Sequence, residues 1–535
     1  MKSNIGILFG LMLFIMTGCY KDKGNYDYHK INDLSVSFLP DNAVDGIYTI
    51  KQPVDDTLYF SLTPVIVQSL GLDEKNLVYC WNNLSAKVKD SVFTKEFTFK
   101  FPPKKSTRYH YLFHVKDVTT DIEYFRDVKL KTMVPYTNSW LVLHGNADDR
   151  KIGAIERSAN GDIEFTEDIY KEMRGIRRFK NATSLIYAPD GGGFNPVTPE
   201  RLMLIGADSL FYLFPFDCQV KAKYETMMPV TPQKERPRLS YGVVSDISTL
   251  MGLVDQQGKY YHGGAYGFFY NTKMNEGLEN YQVDKVFIAS GNPRNATLWD
   301  AVHHKFMYYP GTNQYRMYES TRQDESELSA VLTAFPEDVF EPEELTHKKV
   351  LWVGRGMKEM ANNGASVVLK DMENGNYFIY SIGYGEEENG GKSSSEKESS
   401  FVKIVRDTLE NVNFNENSLF AVSEAFNDQI FYTLGNNVYL YNTVNGEEVF
   451  LYTVGQGVQI TKFAFRITNV LTTLGPDGNG GQRILGIAVK TNGGKGELHE
   501  IFLNVAGDVI ETKVHTGFGE IVDFCFTSVT RNLNL

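Results

Sequence analysis

From Trp140 onward the chain repeats one local pattern: a short apolar strand, a turn built on Gly, Asn or Asp, and a second strand closing on Tyr or Leu. Met251-Gly252-Leu253-Val254 turns at Gln257-Gly258 into Tyr260-Tyr261-His262, and Ser366-Val367-Val368-Leu369 turns at Asn374-Gly375 into Tyr377-Phe378-Ile379-Tyr380. Asp428 to Tyr432 turns at Gly435-Asn436-Asn437 into Val438 to Tyr441, and Arg483 to Ile487 leads through Gly493-Gly494 into Leu498 to Leu503. About seven such units fit between Trp140 and Thr530 at a mean period of roughly 56 residues, a spacing that blades with loops tolerate. The repeat is architectural, with no recurring Trp-Asp or Gly-His dipeptide. It predicts an all-β region over 140–535, a β-propeller of about seven blades; six or eight satisfy the same count, and a large β-sandwich, or two, is the competing arrangement.

The stretch 31–133 has a different texture. Leu34-Ser35-Val36-Ser37-Phe38 alternates strictly, as does Glu96 to Phe101, and Tyr109 to Val115 is another alternating run followed by Ile122 to Leu130. Such alternation marks half-buried antiparallel strands, and roughly seven of them in about a hundred residues is the size of an immunoglobulin-like sandwich. Trp81 in Val78-Tyr79-Cys80-Trp81 is read as its core tryptophan, and residues 134–139, with Pro135, as a linker. Among the strands of the second region, Thr166 to Phe179 carries Ile169, Met173 and Ile176 at helical spacing, and Gly385 to Ser400 is polar and of low complexity.

The first residues set an address. Lys2 precedes an apolar run from Ile5 to Met16, too short to span a bilayer and of signal-peptide length. Met16-Thr17-Gly18-Cys19 closes that run and resembles the bacterial lipobox, in which the cysteine is acylated and becomes the mature N-terminus. This reading makes 1–18 the leader, Cys19 the lipidation site and 19–30 a tether, with the protein held on a membrane by its lipid and not spanning it. A plain secretory leader with a chance cysteine is the alternative.

Composition excludes several classes. Hydrophobic content of 42% with 22% charged residues is that of a folded chain, and 35 Phe and 31 Tyr against 4 Trp lean towards pleated structure. The net charge of −12, without a basic stripe, argues against a nucleic-acid partner. Beyond Cys19 only Cys80, Cys218 and Cys525 remain, so at most one disulfide can form. Buried free thiols are the simpler reading, with a Cys218–Cys525 bridge left open.

Catalytic signatures are sparse. No Cys-x-x-Cys, no pair of histidines on one helical face, no P-loop and no Gly-x-Ser-x-Gly elbow occurs, so neither a metal nor a cofactor is expected and no catalytic residue is assigned. The densest aromatic and polar cluster is Trp299-Asp300 with His303, Tyr308 and Tyr309. Aromatic faces stack on sugar rings or peptide side chains while their tips hydrogen-bond, so Trp299, His303, Tyr308 and Tyr309 form the candidate ligand-binding set; packing inside a blade is the competing role.

Cys19-Tyr20-Lys21-Asp22-Lys23-Gly24-Asn25-Tyr26-Asp27-Tyr28, leading into Ile31-Asn32-Asp33, resembles the mature start of the PKD-like family lipoproteins of Bacteroidetes. The order of a sandwich and then a long β-rich region is similar too. The resemblance implies an outer-membrane lipoprotein, facing either the cell surface or the periplasm, often encoded beside SusC/SusD-like uptake components and with no established enzymatic activity. The Trp-Asp-Phe-Gly-Asp-Gly signature of true PKD domains is missing, so the likeness carries a fold and not a ligand. The expected function is non-catalytic binding of a glycan or peptide as an accessory of such an uptake system. A degradative enzyme (glycosidase, lyase or peptidase) with its site on the propeller's loop face is the alternative, as is an envelope scaffold. An aromatic platform favours binding, converging carboxylates in a deep pocket favour the enzyme, and a flat apolar patch favours the scaffold.

Overall fold

Strict alternation from Leu34 to Phe38 sends every second side chain to one face, and that strand, Leu34–Leu39, pairs antiparallel with Leu58–Gln68. A computed structural model describes the chain between Ile31 and Thr527, apart from inter-strand segments of which the longest are 189–200, 310–329, 386–399 and 467–480. Cys19, with the leader and tether around it, lies outside the described residues. The strands fall into two compact units, one drawn from the chain up to Lys131 and the other chiefly from Thr132 onward.

The first unit is a sandwich. One sheet has three strands, Leu34–Leu39, Leu58–Gln68 and Phe97–Phe101; the other has five, running from Ile47–Lys51 through Ile122–Met133, Thr107–Asp117 and Leu77–Asn83 to Ser91–Val92. Its core is aromatic. Trp81, only 1% exposed, lies 4.5 Å from the Phe113 ring and edge-on to Phe99 at 5.6 Å, and its indole N–H donates to the Lys95 carbonyl at 3.2 Å. Tryptophan is tolerated there because the apolar body is packed and the polar tip is bonded. A buried polar knot pins the start of the unit. The Asn32 amide donates to Gln68 Oε1 at 2.7 Å and to Asp117 Oδ2 at 2.9 Å, while Asp117 Oδ1 accepts from Asn76 Nδ2 and from the Thr119 N–H, both at 2.9 Å. Burial opposes ionisation of Asp117, but these donors prevail and hold its carboxyl at about 2.

The second unit is a seven-bladed propeller. Four-stranded antiparallel blades follow one another along the chain, named I to VII here. Each runs from an inner strand outwards; the inner strands of II to VII are Ala182–Ala188, Leu239–Val244, Val283–Ile288, Lys348–Arg355, Phe420–Ala421 and Gln459–Phe465. Blade I is assembled from both ends of the unit. Ser139–His144, Lys151–Arg157 and Ile163–Thr166 supply three strands, and the C-terminal strand Ile521–Phe526 pairs with Ser139–His144 to become the inner one. That strand packs on the inner strands of both blade II and blade VII, which closes the ring. Closure leaves no open first or last blade, the usual liability of a sheet protein.

Six of the inner strands carry the same irregularity. Pairing to the second strand slips by one residue at Val522, Thr183, Ser240, Asp284, Leu351 and Thr461 in blades I, II, III, IV, V and VII. A bulge adds twist and turns one residue out of the ladder. The displaced carbonyls then serve neighbours: Tyr241 of blade III donates its hydroxyl to the Asp284 carbonyl of blade IV at 2.9 Å, and Thr183 of blade II reaches the Ser240 carbonyl of blade III at 3.5 Å. Blades III and IV are further joined at their outer edges. Phe269–Met274 pairs parallel with Ala330–Ala334, Thr272 standing opposite Ala330, and the two blades become one eight-stranded sheet.

Two details refine the sequence expectations. Within residues 134–139, read as a linker, Tyr136 is fully buried in the second unit. Its N–H donates to Glu156 at 2.9 Å, its hydroxyl to Glu172 at 2.9 Å, and its carbonyl accepts the Thr527 hydroxyl at 2.6 Å. The helix starts later than its periodicity suggested, running over Ile169–Arg174 among the described residues, and is opened by Asp168, whose carboxylate accepts the Lys171 N–H at 3.1 Å. Cys80, Cys218 and Cys525 take part in no disulfide; Cys218 and Cys525 share one core cluster.

Candidate functional site

The turn from Asp300 to Lys305 joins the second and third strands of blade IV, and it explains the cluster seen in the sequence. Asp300 is fully buried; its Oδ1 accepts from the Gln282 and Val302 N–H groups, both at 3.0 Å, and its Oδ2 pairs with His303 Nδ1 at 2.5 Å. Binding the amide two residues on is the Asx turn that Asp favours. Asp255 and Asp371 end the second strands of blades III and V and bond the Gln257 and Glu373 amides in the same way. Trp299 is 3% exposed and packs on Phe306 at 4.8 Å and His304 at 6.0 Å. Tyr308 is half-buried, edge-on to Phe335 at 5.4 Å, and Tyr309 ends the strand with its side chain outside the description. The fold brings Trp299 and Tyr308 into the core of blades IV and V and leaves His303 as a brace for the turn. Beside them lies a recess of about 30 Å³ lined by His304, Phe306 and Phe335, room for a single water.

A larger space opens between the inner strands of blades IV to VII. It measures about 220 Å³ and is lined by Phe287 of blade IV, Trp352 to Arg355 of blade V without Val353, Phe420 to Ser423 of blade VI, and Phe463 to Arg466 of blade VII, with Gln482. Four blades contribute consecutively, so this is the propeller's central channel, at the end where the inner strands run out. Trp352 lies folded across Gly354: a Cβ there would stand 1.9 Å from Cζ2 of the indole. Glycine at that position is what lets the ring lie flat against its own strand. The indole faces Phe420, centroids 6.2 Å apart.

Two arginines complete the lining, Arg355 and Arg466, each 8% exposed. The Arg466 guanidinium sits 3.9 Å over the Phe526 ring, on the inner strand of blade I, which fixes the plane of its fork. Ser423 Oγ donates to the Gln482 carbonyl at 2.5 Å and straps the blade VI edge to blade VII. Sequence reasoning passed over these residues, although a signal was present. Trp352-Val353-Gly354-Arg355 and Phe463-Ala464-Phe465-Arg466 both place an arginine three residues after an aromatic, at the end of an inner strand.

Other buried titratable groups are structural. His262 in blade III meets the Tyr260 hydroxyl at 3.2 Å, and burial pushes its imidazole down to about 3, so it stays neutral. Where blade VII meets blade I, Glu500 accepts the Trp140 indole N–H at 2.6 Å and pairs with His515 Nε2 at 2.7 Å, with Trp140 lying over Gly486. Among the described residues no three His, Cys, Asp or Glu side chains converge as metal ligands.

Comparison with known proteins gives one family and a set of distant folds. Among solved structures, a quinonprotein alcohol dehydrogenase-like protein from Bacteroides thetaiotaomicron aligns with 92% of this chain and 99% of its own at 11% identity and a TM-score of 0.43. YCF48 bound to D1 peptide aligns with 75% of this chain and 91% of its own at 7% identity and a TM-score of 0.35. An apocarotenoid oxygenase mutant from Synechocystis covers 74% of this chain and 91% of its own at 9% identity and a TM-score of 0.34. None of the curated proteins matches. Residues 19–181 match the PKD-like family, a span that takes in the whole sandwich and the first three strands of blade I.

Proposed function

We propose that this protein is a non-catalytic binding protein, tethered to the outer membrane through a lipid on Cys19, that serves as an accessory of a SusC/SusD-like system taking up glycan or peptide. The observation that carries the binding role is the channel cavity, a concave space lined by Trp352 and Phe420 with polar groups from Ser423 and Gln482 at its edge. A concave, mostly apolar site with a few convergent polar groups is the arrangement in which small ligands are held. The Met16-Thr17-Gly18-Cys19 sequence and the match to the PKD-like family over 19–181 support the tether.

Two measurements test the reading. Cys19→Ala should release the protein from the membrane fraction and change its mobility; retention with unchanged mobility sinks the anchor. Titration of the protein lacking residues 1–19 with oligosaccharides and peptides should give saturable binding that Trp352→Ala weakens at least tenfold, as loss of a stacked ring implies. Binding that is indifferent to Trp352→Ala moves the site elsewhere, and no binding by any ligand overturns the role.

A further inference from the structure

We propose that the end of the sandwich where the chain enters it is a lipid-contact surface, which seats the first unit on the membrane to which Cys19 is tethered. This rests on the lipid anchor proposed above and names what the anchored unit touches. Ile31, Val67, Leu70, Leu72 and Val118 crowd that end, all between 39% and 61% exposed. They come from three separate stretches of chain, drawn together by the buried knot of Asn32, Gln68 and Asp117. Turn tips ordinarily carry Gly, Asn, Asp or Ser. Here Leu70-Gly71-Leu72 sets a leucine on each side of a glycine whose φ is +62°. An apolar crown on a polar knot is a surface made to be covered.

What suits this crown to lipid is the way its backbone is satisfied. A chain dipping into the apolar boundary of a bilayer finds no water to pair its N–H and C=O groups. The pairing here is internal. The Leu70 N–H donates to Asn32 Oδ1 at 3.4 Å and the Gly71 N–H to the Gln68 carbonyl at 3.0 Å, while the Leu72 carbonyl accepts from Gln68 Nε2 at 2.9 Å. The Ser69 N–H donates to the Asp33 carbonyl and the Val118 N–H to the Asn76 carbonyl, both at 2.9 Å. Two acidic neighbours are paired, Asp73 with Lys75 at 2.9 Å and Asp121 with Lys116 at 2.5 Å, which offsets their repulsion from anionic headgroups.

Reach favours the membrane over other partners. Cys19 precedes Ile31 by twelve residues, which span at most about 43 Å fully extended. A surface confined within that range is met at the high effective concentration of a short linker, so weak contacts suffice. The tether's sequence includes Tyr20, Tyr26 and Tyr28, a residue type enriched where a bilayer meets water. The acyl chains hold the protein at the bilayer; the crown sets which end of the sandwich faces it.

Nitroxide labelling of the full acylated chain in phosphatidylcholine vesicles tests this. One label is placed on Leu72→Cys and, in a second sample, on Tyr59→Cys, an exposed site at the far end of the strand Leu58–Gln68. The unsubstituted chain gives the background from native cysteines, and each variant is accepted only if its thermal unfolding stays cooperative. The Leu72 label should collide several-fold more often with dissolved oxygen, and several-fold less with a water-soluble nickel complex, than the Tyr59 label. Adding Ile31→Ser and Leu70→Ser should erase that difference. Equal nickel access at both labels, on vesicles that retain the protein, overturns the crown and leaves the anchor standing. A protein that washes off the vesicles refutes the anchor, and the inference falls with it. Protection of the Leu72 label in the soluble protein lacking residues 1–19, rising with protein concentration, means that a second copy covers the crown, and overturns lipid as its partner.

Discussion

Asp117 in the sandwich and Asp523 in the propeller are both buried carboxylates that secure an end of their unit, and they do it with different partners. Asp117 is ringed by neutral donors, the amides of Asn32 and Asn76 and the Thr119 N–H, all within the same small unit. Asp523 sits on the C-terminal inner strand and joins three blades: its Oδ2 accepts the Leu185 N–H of blade II at 2.7 Å, and its Oδ1 pairs with the Lys462 ammonium of blade VII. The difference follows from what each must accomplish. The sandwich knot joins residues whose strands are already paired. The propeller closure brings together strands more than 300 residues apart with no covalent link, and slipping Ile521–Phe526 by one residue would put Val522 or Phe524 where the lysine and the amide converge. A charged pair therefore specifies register at the closure, a role buried ion pairs can fill even where they add little net stability.

The strongest way to break the comparison is to remove residues 521–535. Blade I would lose its inner strand and the ring its closure, so the propeller should lose cooperative thermal unfolding altogether; an unchanged midpoint would refute the role assigned to that strand. Next comes Asp523→Leu, which leaves the Leu185 N–H buried without an acceptor and Lys462 without its partner. It should destabilise by about 3–5 kcal/mol, the range for breaking a buried pair from one side. Lys462→Met should cost less, about 1.5–3 kcal/mol, because Asp523 keeps the Leu185 and Phe524 amides and the lysine is already a third exposed. Denaturant midpoints of the two variants check the order; a larger loss for Lys462→Met would mean that the lysine, not the carboxylate, organises the closure.

Much of this architecture can be read from residues, and the unreadable part has a common cause. Strand pairs such as Gln429–Leu434 with Asn437–Asn442 announce themselves because their turn, Gly435-Asn436, lies between them. Trp81 was legible for a similar reason, an apolar residue in an alternating strand. By contrast, the pairing of Phe526 with Trp140 leaves no local trace, since each strand looks complete alone. The parallel pairing of Thr272 with Ala330 is hidden in the same way, and so is the cavity, whose two arginines are contributed by strands of blades V and VII. Trp299 with Asp300 shows the opposite case. A dense local cluster suggested a ligand platform, but local density is also what a tight turn and a packed blade require, and Asp255 repeats the turn with the Tyr261 hydroxyl on its Oδ2 at 3.0 Å.

The sandwich supplies the smaller effects. Asp117→Asn replaces an acceptor with a donor facing the Asn32 amide, so one of the two must lose its partner, at a cost of about 1–3 kcal/mol. The same residue predicts a pH dependence whose sign is fixed by its direction of shift. The folded carboxyl titrates at about 2, below the roughly 3.9 of an unfolded aspartate, so the unfolded chain binds the proton first. The contribution of Asp117 is complete above about pH 4 and is lost as pH falls towards 2. Comparing wild type with Asp117→Asn by denaturant midpoint between pH 5 and pH 2 isolates that part, because every other carboxylate titrates in both. The gap between the two proteins should narrow steadily as the acid limit is approached. A gap that stays constant would mean that the knot is held by the shape of its amides alone, and the contrast with the charged closure at Asp523 would then be sharper than the hydrogen bonds imply.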